Sequence, residues 1–145
     1  LNSFHIIEGG QTRQESVYLA LKQMSKNQPD YVLIHDGARP WITEELISKV
    51  MDSVQKVGAA LPVIELKDAL KEVDARGYIK THKDRSLFRG AQTPQGFVFQ
   101  SILKAHQQAE TEAYQALDDC ELYSRYSGDV ITIEGDVNFI TRAQV

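Results

Sequence analysis

Asp36 and Arg39 stand three residues apart at the end of an apolar run, Leu33-Ile34-His35-Asp36-Gly37-Ala38-Arg39-Pro40. Ligands of α/β sheets bind beyond the carboxyl ends of strands. The pair sets an oxygen ligand for a hard cation beside a guanidinium fork that suits phosphate. That combination fits phosphoryl or nucleotidyl transfer, which relies mainly on positioning and charge neutralisation. The plainer alternatives are a strand-end acid capping the turn at 37–40 and an arginine in a surface ion pair. On local sequence alone the turn cap is the favoured reading of Asp36.

Other candidates are weaker taken singly. Arg85 sits among Lys80, Lys83 and Arg89, ordinarily a solvated charge run. Thr93 precedes Pro94 and suits the start of a turn. Ser16 follows Gly9-Gly10 within the first turns of a helix, where a hydroxyl usually bonds to backbone. Arg13, beside it, reads as structural or solvent-facing. His5, His35, His82 and His106 show no metal-ligand spacing, and His35 reads as a packed or hydrogen-bonded residue. Asp118-Asp119 reads as a helix cap and start.

The elements that must position these groups follow from periodicity. Residues 4–8 predict a short strand. Val17, Leu21 and Met24 mark one face of a helix over about 13–26. Residues 31–35 predict an apolar strand of the buried parallel type. Thr43 is the expected N-cap of a helix whose buried stripe is Leu46, Ile47, Val50, Val54 and Val57. Gly58 ends it, and 59–65 predicts the next strand. Asp74-Ala75-Arg76-Gly77 signals a hairpin between 70–73 and 78–81, with glycine placed for a positive φ. A polar loop at 82–90, helices at 97–109 and 118–126, and a last strand at 130–134 complete the chain. The fold class expected is α/β: a partial doubly wound, Rossmann-like nucleotide-binding sheet with a protruding hairpin arm at 66–90. One domain over 1–145 is expected.

The chain has 145 residues, 42% hydrophobic and 25% charged, with a formal net charge of −4. That balance argues against a nucleic-acid surface or an acidic membrane surface. One cysteine, Cys120, excludes an internal disulfide and a cysteine-based zinc cluster. No apolar run approaches the ~18 residues of a membrane span. A cytoplasmic setting is the expectation. Leu1 in first place suggests a fragment, as does the lack of any GxGxxG or Walker pattern.

Four motifs in order resemble one family, 2-C-methyl-D-erythritol 4-phosphate cytidylyltransferase. Residues 9–17, Gly-Gly-Gln-Thr-Arg-Gln-Glu-Ser-Val, resemble its GG-x-x-R-x-x-S-V segment, and residues 35–40 its HD-[AG]-AR-P signature. Asp84-Arg85 with Thr93-Pro94-Gln95 resembles its DR-x7-TPQ pairing. The resemblance runs from about residue 6 to 141. It implies that the α/β sheet is a nucleotidyltransferase sheet, with CTP as co-substrate, Mg²⁺ on Asp36, and Arg39, Arg85 and Thr93 holding the sugar phosphate. Gly10 and Ser16 would line the nucleotide site. Arg85 would reach across a homodimer built through the arm, making the site shared.

Three departures accompany the match. The family's lysine in its N-x-K-[IV]-T segment has no counterpart in Asn138-Phe139-Ile140-Thr141. Its second metal-binding acid falls on Val137, leaving Asp136, one step away, as the candidate ligand. The family's N-terminal glycine-rich loop, with the arginine and lysine at the α-phosphate, is also not matched. These 145 residues by themselves are therefore expected to be inactive. Alternatives are a ribitol or ribulose 5-phosphate cytidylyltransferase, or a non-catalytic dimerisation or ligand-binding remnant of such an enzyme.

Overall fold

A computed structural model describes residues 4–138. Helix α1, Arg13–Met24, starts at Thr12, whose side chain accepts from the Glu15 N–H. Strand β1 is Tyr31–Ile34. Helix α2, Glu44–Val57, is capped by Thr43 at its N-terminus and by Gly58 at its C-terminus. Then come β2, Ala59–Glu65, and the hairpin strands β3, Leu70–Val73, and β4, Ile79–Lys83. Strands β5, Arg89–Ala91, and β6, Gln95–Val98, lead into α3, Phe99–Thr111. Helix α4, Asp119–Tyr126, and β7, Ile131–Glu134, follow.

The main sheet runs β1-β6-β2-β5, with β7 also on β2. Among the described residues every pairing in it is antiparallel except β2 with β7. Helices cover both faces. Leu46, Val50 and Val54 of α2 pack with Ala60, Tyr31, Leu33 and Ile133 on one side. On the other, α1, α3 and α4 bury Leu21, Ile102, Ala105 and Leu122 against Val32, Ala59 and Phe97. Adjacent residues Ala59 and Ala60 fall in opposite cores, as the two-residue period of a strand requires. Gly96 of β6 lies where α2 comes closest. A Cβ there would stand 2.6 Å from Val50 Cγ1 and 2.6 Å from Val54 Cγ2.

Strands β5 and β6 run along β2 with an interruption. Ala91 faces Val63 and Gly96 faces Ala60, and the β5–β6 side is the longer between those pairs. The surplus lifts Thr93-Pro94 out of the ladder, toward the end of β1. Gln92 keeps one backbone bond to β2, its N–H donating to the Pro62 carbonyl at 2.8 Å.

Several expectations are corrected. Residues 4–8 form no strand: Phe4 and Ile6 are exposed, and no strand among the described residues takes their backbone groups. Strand β1 packs against cores on both faces as expected, though only Val32 is fully buried, and it runs antiparallel to its neighbour β6. The polar loop at 82–90 contains the end of β4, a single 3-10 turn at Arg85–Leu87 and the start of β5. The segment read as the start of a helix at 97 belongs to β6, because Phe97 pairs with both Val32 and Ala59. The hairpin is as expected, with Gly77 at φ 87°. It forms its own two-stranded sheet, apart from the main one. Residues 139–141, which hold most of the segment compared with the family's lysine-bearing one, lie outside the described residues.

Candidate active site

The surplus residues between β5 and β6 carry Thr93 against the turn that follows β1. Thr93 is buried, and its Oγ1 accepts from the Asp36 N–H at 3.2 Å. The same hydroxyl lies 2.9 Å from His35 Nδ1, and His35 Nε2 lies 2.7 Å from the Arg39 carbonyl. The Arg39 N–H closes the turn on the Asp36 carbonyl at 3.0 Å. The Asp36 backbone and the His35 ring are thus tied to the segment between β5 and β6. Both ring nitrogens of His35 are engaged, in line with the hydrogen-bonded role expected of it.

Two guanidinium groups flank the Asp36 carboxylate. Arg39 Nε is 3.5 Å from Oδ2 and Arg13 is 3.8 Å from Oδ1. These are loose pairs, and the Asp36 side chain remains 36% exposed. An open carboxylate beside two cations has a free side for a ligand and counter-charge for phosphate oxygens.

Arg13 also reaches inward. It sits 2.9 Å from Oδ2 of Asp119, a side chain only 1% exposed, whose Oδ1 meets His106 Nε2 at 3.0 Å. Burying a carboxylate is costly unless it is paired and hydrogen-bonded in this way. Asp118 caps α4 as expected, accepting from the Glu121 N–H at 2.8 Å. Asp119 does more than start a helix, and Arg13 is not merely solvent-facing. The only sequence signal for Arg13 was its place between Gly10 and Ser16 in the first motif.

Ser16 and Gly10 meet. The Gly10 N–H donates to Ser16 Oγ at 3.0 Å, and that hydroxyl donates to the Thr12 carbonyl at 2.9 Å. The Gln11 N–H donates to Glu15 at 2.6 Å. The 9–12 segment is thereby folded over the first turn of α1, next to Arg13.

Arg85 lies elsewhere. It donates to the Lys67 carbonyl and lines a groove of about 980 Å³ with Lys67, Arg89, Glu65 and Glu134. Asp136 is linked to the Thr93 region through Gln92. The Gln92 amide donates to the Asp136 carbonyl at 2.8 Å and accepts from the Asp136 N–H at 3.0 Å. The Asp136 carboxylate accepts from the Asn138 N–H at 2.9 Å. Among the described residues, no three His, Cys, Asp or Glu side chains converge as a metal-binding group. The structure thus unites Asp36, Arg39 and Thr93, with Gly10 and Ser16 beside Arg13, and leaves Arg85 with the arm.

Solved structures share this architecture. 2-C-methyl-D-erythritol 4-phosphate cytidylyltransferase from Thermus thermophilus matches with a TM-score of 0.84 at 34% identity, over 93% of this chain and 65% of that one. 4-Diphosphocytidyl-2C-methyl-D-erythritol synthase from Anaerococcus prevotii matches with a TM-score of 0.84 at 28% identity, over 93% and 60%. The fold class is therefore that of an α/β nucleotidyltransferase. The model of the family IspD, 2-C-methyl-D-erythritol 4-phosphate cytidylyltransferase, matches residues 1–144, and the chain belongs to that family. The bifunctional enzyme IspD/IspF of Bradyrhizobium diazoefficiens is 42% identical over 130 residues, 89% of this chain and 33% of the relative. That of Rhodopseudomonas palustris strain HaA2 is 44% identical over 131 residues, 90% and 33%. The chain spans about a third of the length of these curated relatives.

Proposed function

We propose that the polypeptide carrying this chain transfers CMP from CTP to 2-C-methyl-D-erythritol 4-phosphate. The observation that carries this reading is the Asp36 turn: an open carboxylate between two guanidinium groups, in a chain of this family. An oxygen of the acceptor phosphate attacks the α-phosphorus of CTP. The α–β anhydride bond breaks, and pyrophosphate leaves with its electron pair. Arg39 holds the acceptor and Thr93 fixes the Asp36 backbone that frames it. Ser16 and Gly10 line the nucleotide side through the segment folded over α1.

A carboxylate with an open side suits Mg²⁺, which is commonly held by one or two carboxylates plus substrate phosphates. Asp36 would be that ligand, with Asp136 as a second candidate, and the ion would neutralise phosphate charge. The chain's own residues position the reactants.

The rest of the proposal concerns assembly. Val73, Tyr78, Ile79, Leu87 and Phe88 are exposed on or beside the arm. A lone two-stranded hairpin is at best marginally stable in water. A second copy of the chain covering the arm would stabilise it and bring Arg85 to the partner's acceptor. We read 1–145 as one domain with the arm at 66–90, working in the cytoplasm. Among the described residues no helix is long and apolar enough to cross a membrane.

The test is pyrophosphate release by the complete polypeptide with CTP and each candidate acceptor. Transfer to 2-C-methyl-D-erythritol 4-phosphate, and about 100-fold or greater loss in Asp36→Ala through lost charge stabilisation, is expected. Preference for ribitol or ribulose 5-phosphate would overturn the choice of acceptor. No release with any acceptor would overturn the activity. The 145 residues alone are expected to be inactive.

A further inference from the structure

We infer that His35 is a positioning residue for the acceptor, acting through the Arg39 carbonyl. The inference rests on the proposed role of Arg39. A carbonyl oxygen only accepts hydrogen bonds. The 2.7 Å contact between the Arg39 carbonyl and His35 Nε2 therefore requires the proton on Nε2. Thr93 Oγ1 already accepts from the Asp36 N–H, so its own proton is free to go to His35 Nδ1 at 2.9 Å. With a neutral ring, one arrangement satisfies all three groups: Asp36 N–H to Thr93, Thr93 O–H to Nδ1, and Nε2–H to the Arg39 carbonyl.

The two ends of this chain of bonds do different work. The Nδ1 end joins His35 to Thr93 on the segment entering β6. The Nε2 end grips the backbone of Arg39, whose side chain is 14% exposed and aimed at Asp36. Losing the carbonyl bond removes one tie on the Arg39 backbone, beside its N–H bond to the Asp36 carbonyl, and loosens the placement of its guanidinium against the carboxylate. Releasing Nδ1 leaves the Arg39 backbone held. The Nε2 bond thus sets the acceptor contact.

Glutamine places its amide nitrogen near the position of Nε2, whereas asparagine reaches only that of Nδ1. In the complete polypeptide, His35→Gln is expected to keep the KM for the acceptor within about twofold. His35→Asn is expected to raise it about tenfold, the equivalent of one weakened charge-assisted contact. The KM for CTP should be unchanged in both. Equal acceptor KM in His35→Asn and the parent, or equal rises in both variants, would overturn the inference. If the parent itself transfers nothing, the proposed function falls. The ring assignment is still decided by nitrogen NMR of the folded parent. Expected is a protonated Nε2 with an unprotonated Nδ1, and an unprotonated Nε2 would overturn it without any turnover.

Discussion

Asp119 shows what one buried charge demands. Its carboxylate is 1% exposed and lies between Arg13 and His106. Removing it takes away the partner of the buried His106 Nε2 and of the 43% exposed Arg13. Breaking a buried pair by deleting one member costs about 3–5 kcal/mol, and partial exposure of Arg13 reduces that. We expect Asp119→Ala to lower unfolding free energy by about 2 kcal/mol in urea titration. Asp119→Asn, which keeps a hydrogen-bonding oxygen, should cost less. Cys120, its neighbour, is buried. Burial first, and then the charges of Asp118 and Asp119, push its thiol far above the ordinary cysteine range. Since the thiolate is the nucleophile, Cys120 should resist iodoacetamide in the native protein and react promptly in denaturant, as mass spectrometry would show.

Between elements, the contact of β6 with α2 sets a close constraint. A Cβ at Gly96 would overlap Val50 and Val54, both buried side chains that have nowhere to go. Overpacking of this kind typically costs about 1–3 kcal/mol. Gly96→Ala should show that loss in thermal or urea unfolding, and Val54→Ala in the same chain should recover part of it. The turn from α3 to α4 depends on Glu121, which accepts from the Tyr114 hydroxyl and the Leu117 N–H. The Tyr114 bond foremost, then the Leu117 bond, hold its carboxyl below the usual range. A lowered folded value means the stabilisation is complete above the unfolded carboxylate pKa of about 4.3 and is lost as pH falls through the folded value. Glu121→Gln should flatten that part of the stability–pH curve.

The helices and β2 were legible because their signals are local. Thr43 and Asp118 announce helix starts, and 59–65 coincides with β2. Strands β5 and β6 were not, because Arg89–Ala91 and Gln95–Val98 are short and lack alternation. Their identity comes from pairing with β2, a partner distant in sequence. Strand direction was hidden for the same reason: the run at 31–35 shows burial on both faces but not which neighbour lies beside it. The candidate site divides likewise. Asp36 and Arg39 share one turn and were readable there. The Asp119–Arg13 contact spans most of the chain and left no local trace.

At the scale of the whole molecule, the β3–β4 hairpin of the arm stands on its own sheet and, among the described residues, shares no ladder with the main sheet. Its exposed apolar residues can therefore be changed without disturbing the core. If the proposed dimer forms through the arm, Val73→Ser with Ile79→Ser should shift it to monomer in sedimentation equilibrium. Pyrophosphate release should fall with it, while the circular dichroism of the body is retained. An unchanged association constant would remove the arm from the interface.

The Gln92 side chain bonds to both the N–H and the carbonyl of Asp136, as a residue on an adjacent strand would. The ladder between β2 and β7 ends at Val63 and Glu134, so this side chain prolongs order past the last strand pair. In kinetic language, the Asp136 amide should exchange its hydrogen slowly although it belongs to no strand. Its opening should also be correlated with that of the Asp36 amide, since Gln92 and Thr93 are consecutive. Two loops remote in sequence would then breathe on a single clock.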